Sequence, residues 1–204
     1  MYPGERFNSA THLIGVILAI AGSIVLLIQA VKSGNLWKIG AVSVFGLSMI
    51  ALYGASTIYH STRGPAKERW AKVDHCAIYV LIAGTYTPFS LITLQGTWGT
   101  ALLTVVWTLA FAGIAKELRW GRERVSSVPL YLLMGWACVA VASPLIHALQ
   151  TQGLVWLVTG GLLYTVGVIF YVMDTRWRHA HGVWHLFVLG GTASHYFTVL
   201  KFLV

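Results

Sequence analysis

Seven long apolar runs, separated by short polar breaks, follow one another along the chain. About 20 apolar residues suffice to cross a hydrocarbon core roughly 30 Å thick as a helix. The runs extend from Thr11 to Val31, Ile39 to Tyr59, Asp74 to Leu94, Thr97 to Ala115, Val128 to Leu149, Gly153 to Met173 and Val183 to Leu203. The pattern predicts an all-α, polytopic membrane protein, a single seven-transmembrane-helix bundle over residues 1–204 with no internal repeat and no separate soluble domain. Gln95-Gly96-Thr97-Trp98-Gly99 and Gln150-Thr151-Gln152-Gly153 predict tight turns, and Pro88 and Pro144 predict kinks inside the third and fifth spans. The polar residues Glu5, Arg6 and Asn8 lead into a long apolar run, which predicts a first span rather than a cleaved signal.

Composition agrees with lipid as the solvent. Apolar residues make up 57% of the chain and charged ones only 10%, against about a quarter in soluble domains; mean hydropathy is +0.72. Nine Trp and nine Tyr suit the membrane-water interface. The net charge of +8 comes from short clusters between apolar runs and forms no stripe, which argues against a nucleic-acid partner. Cys76 and Cys138 have no metal-ligand spacing and read as small buried hydrophobes.

Basic residues orient the bundle. Arg6, then Arg63, Lys67, Arg69 and Lys72, then Lys116, Arg119, Arg122 and Arg124, then Arg176 and Arg178 fall on one side; only Lys32, Lys38 and Lys201 fall on the other. The excess marks the cytoplasmic side. It predicts a cytoplasmic N-terminus, an outside C-terminus and residence in the cell's inner (plasma) membrane, with lipids as the immediate partners.

Ionisable groups at membrane depth are costly and mark functional sites. His12, His60, His75, His179, His181 and His185 fall near the cytoplasmic ends of spans one, two, three and seven. His181-Gly-Val-Trp-His185 puts two imidazoles one turn apart on one helix face, the spacing that lets both reach one metal ion. Ser56-Thr-Ile-Tyr-His60 repeats that spacing on span two, and Asp74 opens span three at the same level. Three imidazoles, a carboxylate and a hydroxyl thus converge from three helices. Three neutral imidazoles bind zinc and leave a fourth position for water, whose pKa the metal lowers; a carboxylate can take the proton.

Each residue also has a plainer use. Asp74 could be the N-cap of span three, Ser56 could satisfy a backbone carbonyl or a neighbouring helix, and His181 could be a solvated loop residue beside His179. Three turns of helix separate His195 from His185, so it cannot share the ion, and His147 lies on the far side. His75 points about 100° away from Asp74 around the helix. His12 and Asn8 remain as supporting residues.

Over nearly its whole length the sequence resembles the hemolysin III family, the bacterial branch of the progestin and adiponectin receptor superfamily. The resemblance lies in Glu5-Arg6-Phe7-Asn8-Ser9-Ala10-Thr11-His12, Ser56-Thr57-Ile58-Tyr59-His60-Ser61, Asp74-His75-Cys76-Ala77-Ile78-Tyr79 leading to Ala83-Gly84-Thr85-Tyr86-Thr87-Pro88, His181-Gly182-Val183-Trp184-His185, and Ser194-His195-Tyr196-Phe197. It implies a seven-helix fold with zinc near the cytoplasmic face on His60, His181 and His185, with Ser56 and Asp74 nearby. It also implies zinc-dependent hydrolysis of lipid amides, of the ceramidase type, and a part in membrane-lipid homeostasis. Two other classes of function compete: a receptor or sensor with a structural zinc site, and a cytolytic pore. No span carries the sustained polar stripe that a pore requires.

Overall fold

The computed structural model describes residues 4–124 and 127–204, and these are helical almost throughout. Eight α-helices follow in order: α1 Arg6–Lys32, α2 Leu36–Ser61, α3 Pro65–Pro88, α4 Gly96–Arg124, α5 Val128–Gly135, α6 Ala142–Ala148, α7 Thr151–Val172 and α8 Ala180–Phe202. Among the described residues, six segments are long and apolar enough to span a bilayer: Arg6–Lys32, Leu36–Ser61, Pro65–Leu94, Gly96–Trp120, Val128–Ala148 and Thr151–Val172. The protein is a multi-pass membrane protein. The seventh predicted span, carried by α8, is not among the six, because His185, Ser194 and His195 dilute an otherwise apolar helix.

Helices begin earlier than their apolar runs. α1 starts at Arg6, so Asn8, Thr11 and His12 are helical. α3 starts at Pro65, where proline's missing N–H and fixed φ suit the first helical position. Lys67, Arg69 and Lys72 therefore sit on its opening turns, not in a loop. The side chains of Arg122 and Arg124 lie outside the described residues.

Both expected turns form. Gln95 and Gly96 take positive φ (40° and 55°) between α3 and α4, and an extended Leu149 separates α6 from α7. At α2, the Asn35 side chain accepts hydrogen bonds from the Trp37 and Lys38 amides and caps the helix. The prolines act as expected. After Pro88 the chain passes into a π-helical turn, Phe89–Leu94. The fifth span breaks into α5 and α6 through a 3₁₀ turn, Ala137–Val141, where the Pro144 ring would meet the Ala140 carbonyl of a straight helix.

The bundle is built inside out relative to a soluble protein. On α1 the exposed positions are Ile14, Ile17, Leu18, Ile24 and Val31, whereas Ser9, Thr11, His12, Gly15, Ala19, Leu26 and Ala30 turn inward. Lipid tails are as apolar as leucine, so small and polar residues form the helix contacts. On α7 the buried residues are Gly153, Gly160 and Gly167, two turns apart on one face. That seam brings α8 close: a Cβ on Gly160 would collide with the His195 ring, and one on Gly167 would meet Phe187 Cβ at 2.7 Å. Tyr53 on α2 and Tyr164 on α7 both bind the Thr192 hydroxyl of α8, at 2.6 and 2.7 Å, and lock three helices together at mid-depth.

Candidate metal centre

Helices α2 and α8 bring His60, His181 and His185 together at one end of the bundle. One ligating atom from each lies within 4.8 Å of the other two. The ring centroids form a nearly equilateral triangle of 4.9, 5.0 and 4.8 Å, with each pair of rings inclined by 64–68°.

The second nitrogen of each ring explains the arrangement. His60 Nδ1 meets Glu5 Oε2 at 2.7 Å, His181 Nδ1 meets Asp174 Oδ2 at 3.3 Å, and His185 Nδ1 meets the Asn8 carbonyl at 3.2 Å and Thr11 Oγ1 at 3.1 Å. Carboxylates and carbonyls only accept, so each Nδ1 carries the hydrogen and each Nε2 is left with its lone pair. All three Nε2 atoms are buried without a hydrogen-bond partner. Leaving three buried acceptors unsatisfied costs stability, whereas a metal ion among them would use all three. The donor set therefore fits zinc, a tetrahedral ion that takes neutral imidazole nitrogen, with each ring oriented by a hydrogen bond at its far side.

Glu5 ties this end together. Besides His60, it accepts from Asn8 Nδ2 and from Lys67 Nζ of α3, each at 2.8 Å. The hydrogen bond from His60, joined by those from Lys67 and Asn8, holds its carboxyl well below the usual carboxylate range despite partial burial.

Asp74 lies nine residues inside α3, not at its start, so it is not an N-cap; it is almost fully buried. It is not part of the histidine group. Ser56 Oγ, one turn above His60, is buried and has no partner, so it satisfies neither a carbonyl nor a neighbouring helix. His181 is helical, and its Nε2 is buried; His179, beside it, is exposed at the helix N-cap. His75 turns away from Asp74, as its register predicts, and meets Glu117 of α4 at 3.2 Å. His147 is exposed and bonds the Ser143 carbonyl. His195 bonds the Leu157 carbonyl at 3.0 Å and stays remote from the cluster. Cys76 and Cys138 are free and only partly buried.

An apolar cavity of about 300 Å³ reaches His12, whose ring stacks on His185. Asp74 lines it as well, and it follows α3 through Ile78, Leu81 and Phe89 to Leu94. Twenty residues of helix span roughly 30 Å, so the cavity follows most of the bundle's length. Tyr164 and His195 form part of its opposite wall.

The residues that orient the histidines were the ones least visible in the sequence. Glu5, Thr11 and Asp174 carry no motif spacing to the rings they support. The signal was scarcity: the chain has only six acidic residues, and Glu5 and Asp174 both flank histidine-bearing spans.

Fold and site together define a helical, multi-pass membrane protein with a buried three-histidine cluster at one end. The chain belongs to the haemolysin-III related family, whose model matches residues 2–196. It is 44% identical to Hemolysin-3 of Bacillus cereus, over 98% of this chain and 92% of that one. It is 30% identical to the human monocyte to macrophage differentiation factor, over 96% of this chain and 83% of that protein. An adiponectin receptor protein of Drosophila melanogaster is 24% identical, over 94% of this chain and 49% of that protein.

Proposed function

We propose that this chain is a zinc-dependent hydrolase of an acyl linkage, an amide in first place, in a membrane lipid, with a role in membrane-lipid homeostasis. The observation that carries it is the set of three buried, unpartnered Nε2 atoms of His60, His181 and His185, linked to an apolar cavity by His12, which stacks on His185 and lines that cavity. When bound there, zinc would act as a Lewis acid and lower the pKa of water beside it. Asp74 lines the same cavity as His12 and would take the proton from the attacking water and hand it to the leaving group. Ser56 Oγ, free of other bonds, would orient the water or the carbonyl. The apolar cavity would hold the acyl chain and exclude bulk water from the linkage. A structural zinc site usually closes with four protein ligands. The group here has three, which supports turnover over a purely structural or sensing role.

In this reading α8 is the seventh crossing, the N-terminus is cytoplasmic, the C-terminus is outside, and the protein resides in the plasma membrane. The uneven division of Lys and Arg supports that orientation. The test is reconstitution in liposomes with a panel of labelled N-acyl and ester lipids. Chelator-sensitive release of fatty acid is the expected result. Release from none of them, together with loss of helix packing on zinc removal, would give the site to a sensor whose helices zinc holds together. The apolar lining of the cavity speaks against a water-filled cytolytic pore.

A further inference from the structure

A fourth imidazole adjoins the cluster without any partner of its own. His12, on the inner face of α1, is almost fully buried, and neither of its ring nitrogens has a hydrogen-bond partner. Its ring stacks on His185 at 3.5 Å between centroids and 11° between planes, and stands edge-on to Tyr53 at 5.1 Å. Tyr53 offers His12 its ring, while its hydroxyl donates to Thr192. A phenylalanine would make the same two ring contacts without burying a donor and an acceptor unsatisfied.

The stack also rules out the simplest use for those nitrogens. An ion held by a ring nitrogen lies in the plane of that ring. The planes of His12 and His185 are nearly parallel and about 3.5 Å apart, whereas a zinc–nitrogen bond is about 2.0–2.1 Å. One ion cannot lie in both planes, so His12 does not close the coordination shell. It does line the cavity, as Asp74 does, so a ligand in the cavity would meet a ring whose two nitrogens have no partner in the protein.

We propose that His12 is a catalytic residue that donates a hydrogen bond to the carbonyl oxygen of the lipid's acyl linkage. The inference rests on the lipid-hydrolase reading above and deepens it. Water adds to the carbonyl carbon, and the C=O electron pair moves onto the oxygen held by the His12 N–H. Asp74 takes the proton released by the water. As the carbonyl re-forms, the bond to the leaving nitrogen or oxygen breaks, and that atom receives the proton from Asp74. The products are a fatty acid and an amine or alcohol, and His12 ends in its starting state. A donor placed where charge develops in the transition state is among the strongest single contributions an enzyme makes.

The test reads metal and ligand separately. Cobalt(II) replaces zinc in purified wild type, His12→Phe and His12→Gln, and the visible spectrum is recorded during titration with oleate. Phenylalanine keeps the stack on His185 and the edge contact with Tyr53, while glutamine restores a donor. All three proteins should bind cobalt with the same starting spectrum. Oleate should shift the wild-type spectrum, His12→Phe should need about tenfold more oleate, and His12→Gln should recover part of the difference. Equal oleate affinity in wild type and His12→Phe would overturn the proposal while leaving the lipid reading intact. A changed cobalt spectrum in His12→Phe before any oleate would also overturn it, by making His12 part of the metal shell. No response to oleate in wild type would remove the lipid reading and the His12 proposal with it.

Discussion

His60 Nδ1 donates to Glu5 Oε2 across 2.7 Å, and this bond joins the start of α1 to the end of α2 while it fixes the tautomer of one ring of the histidine cluster. The same carboxylate accepts from Lys67 on α3, so three helices share one charge. Removing it takes no ligand away, yet the His60 ring loses its orientation. Glu5→Ala should lower zinc affinity by about 10–100-fold, and Glu5→Gln by less, since the amide oxygen still accepts. Competition against a chromophoric chelator measures both. Unchanged affinity in Glu5→Ala would detach Glu5 from the site.

The three histidines should behave as one unit. Wild type should purify with about one zinc per chain, and His60→Ala, His181→Ala or His185→Ala should each strip most of it. His147→Ala should not, because that ring is exposed and bonds its own helix backbone. Elemental analysis decides. Full zinc occupancy in a His181→Ala/His185→Ala double variant would sink the proposed centre.

Hydrophobic runs made the spans legible, and i, i+4 spacing made His181 and His185 legible. Helix ends were harder, because a charged helical turn at the membrane surface has no apolar signature. Asp74 therefore read as the start of α3 when it lies well inside it. α8 shows the opposite effect: His185, Ser194 and His195 pull it below the apolar level of the other spans. Glu5, Thr11 and Asp174 stayed hidden because their link to the rings exists only in three dimensions. Asp174 and His181 are seven residues apart across a turn, and Glu5 and His60 are 55 apart.

Packing along α7 offers a test that needs no ligand. Gly160 faces the His195 ring and the Gly191 carbonyl, whereas Gly161 has open space around it. Gly160→Ala should destabilise the bundle by about 1–3 kcal/mol through overpacking. Gly161→Ala should be neutral, or stabilising by up to about 1 kcal/mol through helix propensity. Thermal unfolding in detergent compares the two. Equal stability would mean that α7 and α8 do not pack through this seam.

The proposed orientation rests on charge, and whether α8 crosses decides its far end. A reporter inserted at Arg63, in the short link between α2 and α3, should be cytoplasmic, and one fused after Val204 should be outside. Both reporters on the same side would mean that α8 does not complete a seventh crossing. Exchange of the two would move the histidine cluster to the outer face.

Asp74 separates catalysis from metal binding. It is buried, lines the cavity and stands apart from the three-histidine group, so its proposed part is to move a proton. Asn keeps the size and hydrogen-bonding capacity of Asp but cannot accept and return a proton. Asp74→Asn should therefore retain full zinc while fatty-acid release in liposomes falls by about 10²–10⁴-fold, the usual range for losing a general base. The paired measurement matters because zinc content and turnover distinguish two different roles. Loss of zinc in Asp74→Asn would make the carboxylate a fourth ligand, close the site and favour the sensor. Retained zinc with undiminished release would take the proton away from Asp74 and leave Ser56, whose buried hydroxyl one turn from His60 has no hydrogen-bond partner, as the residue to test next.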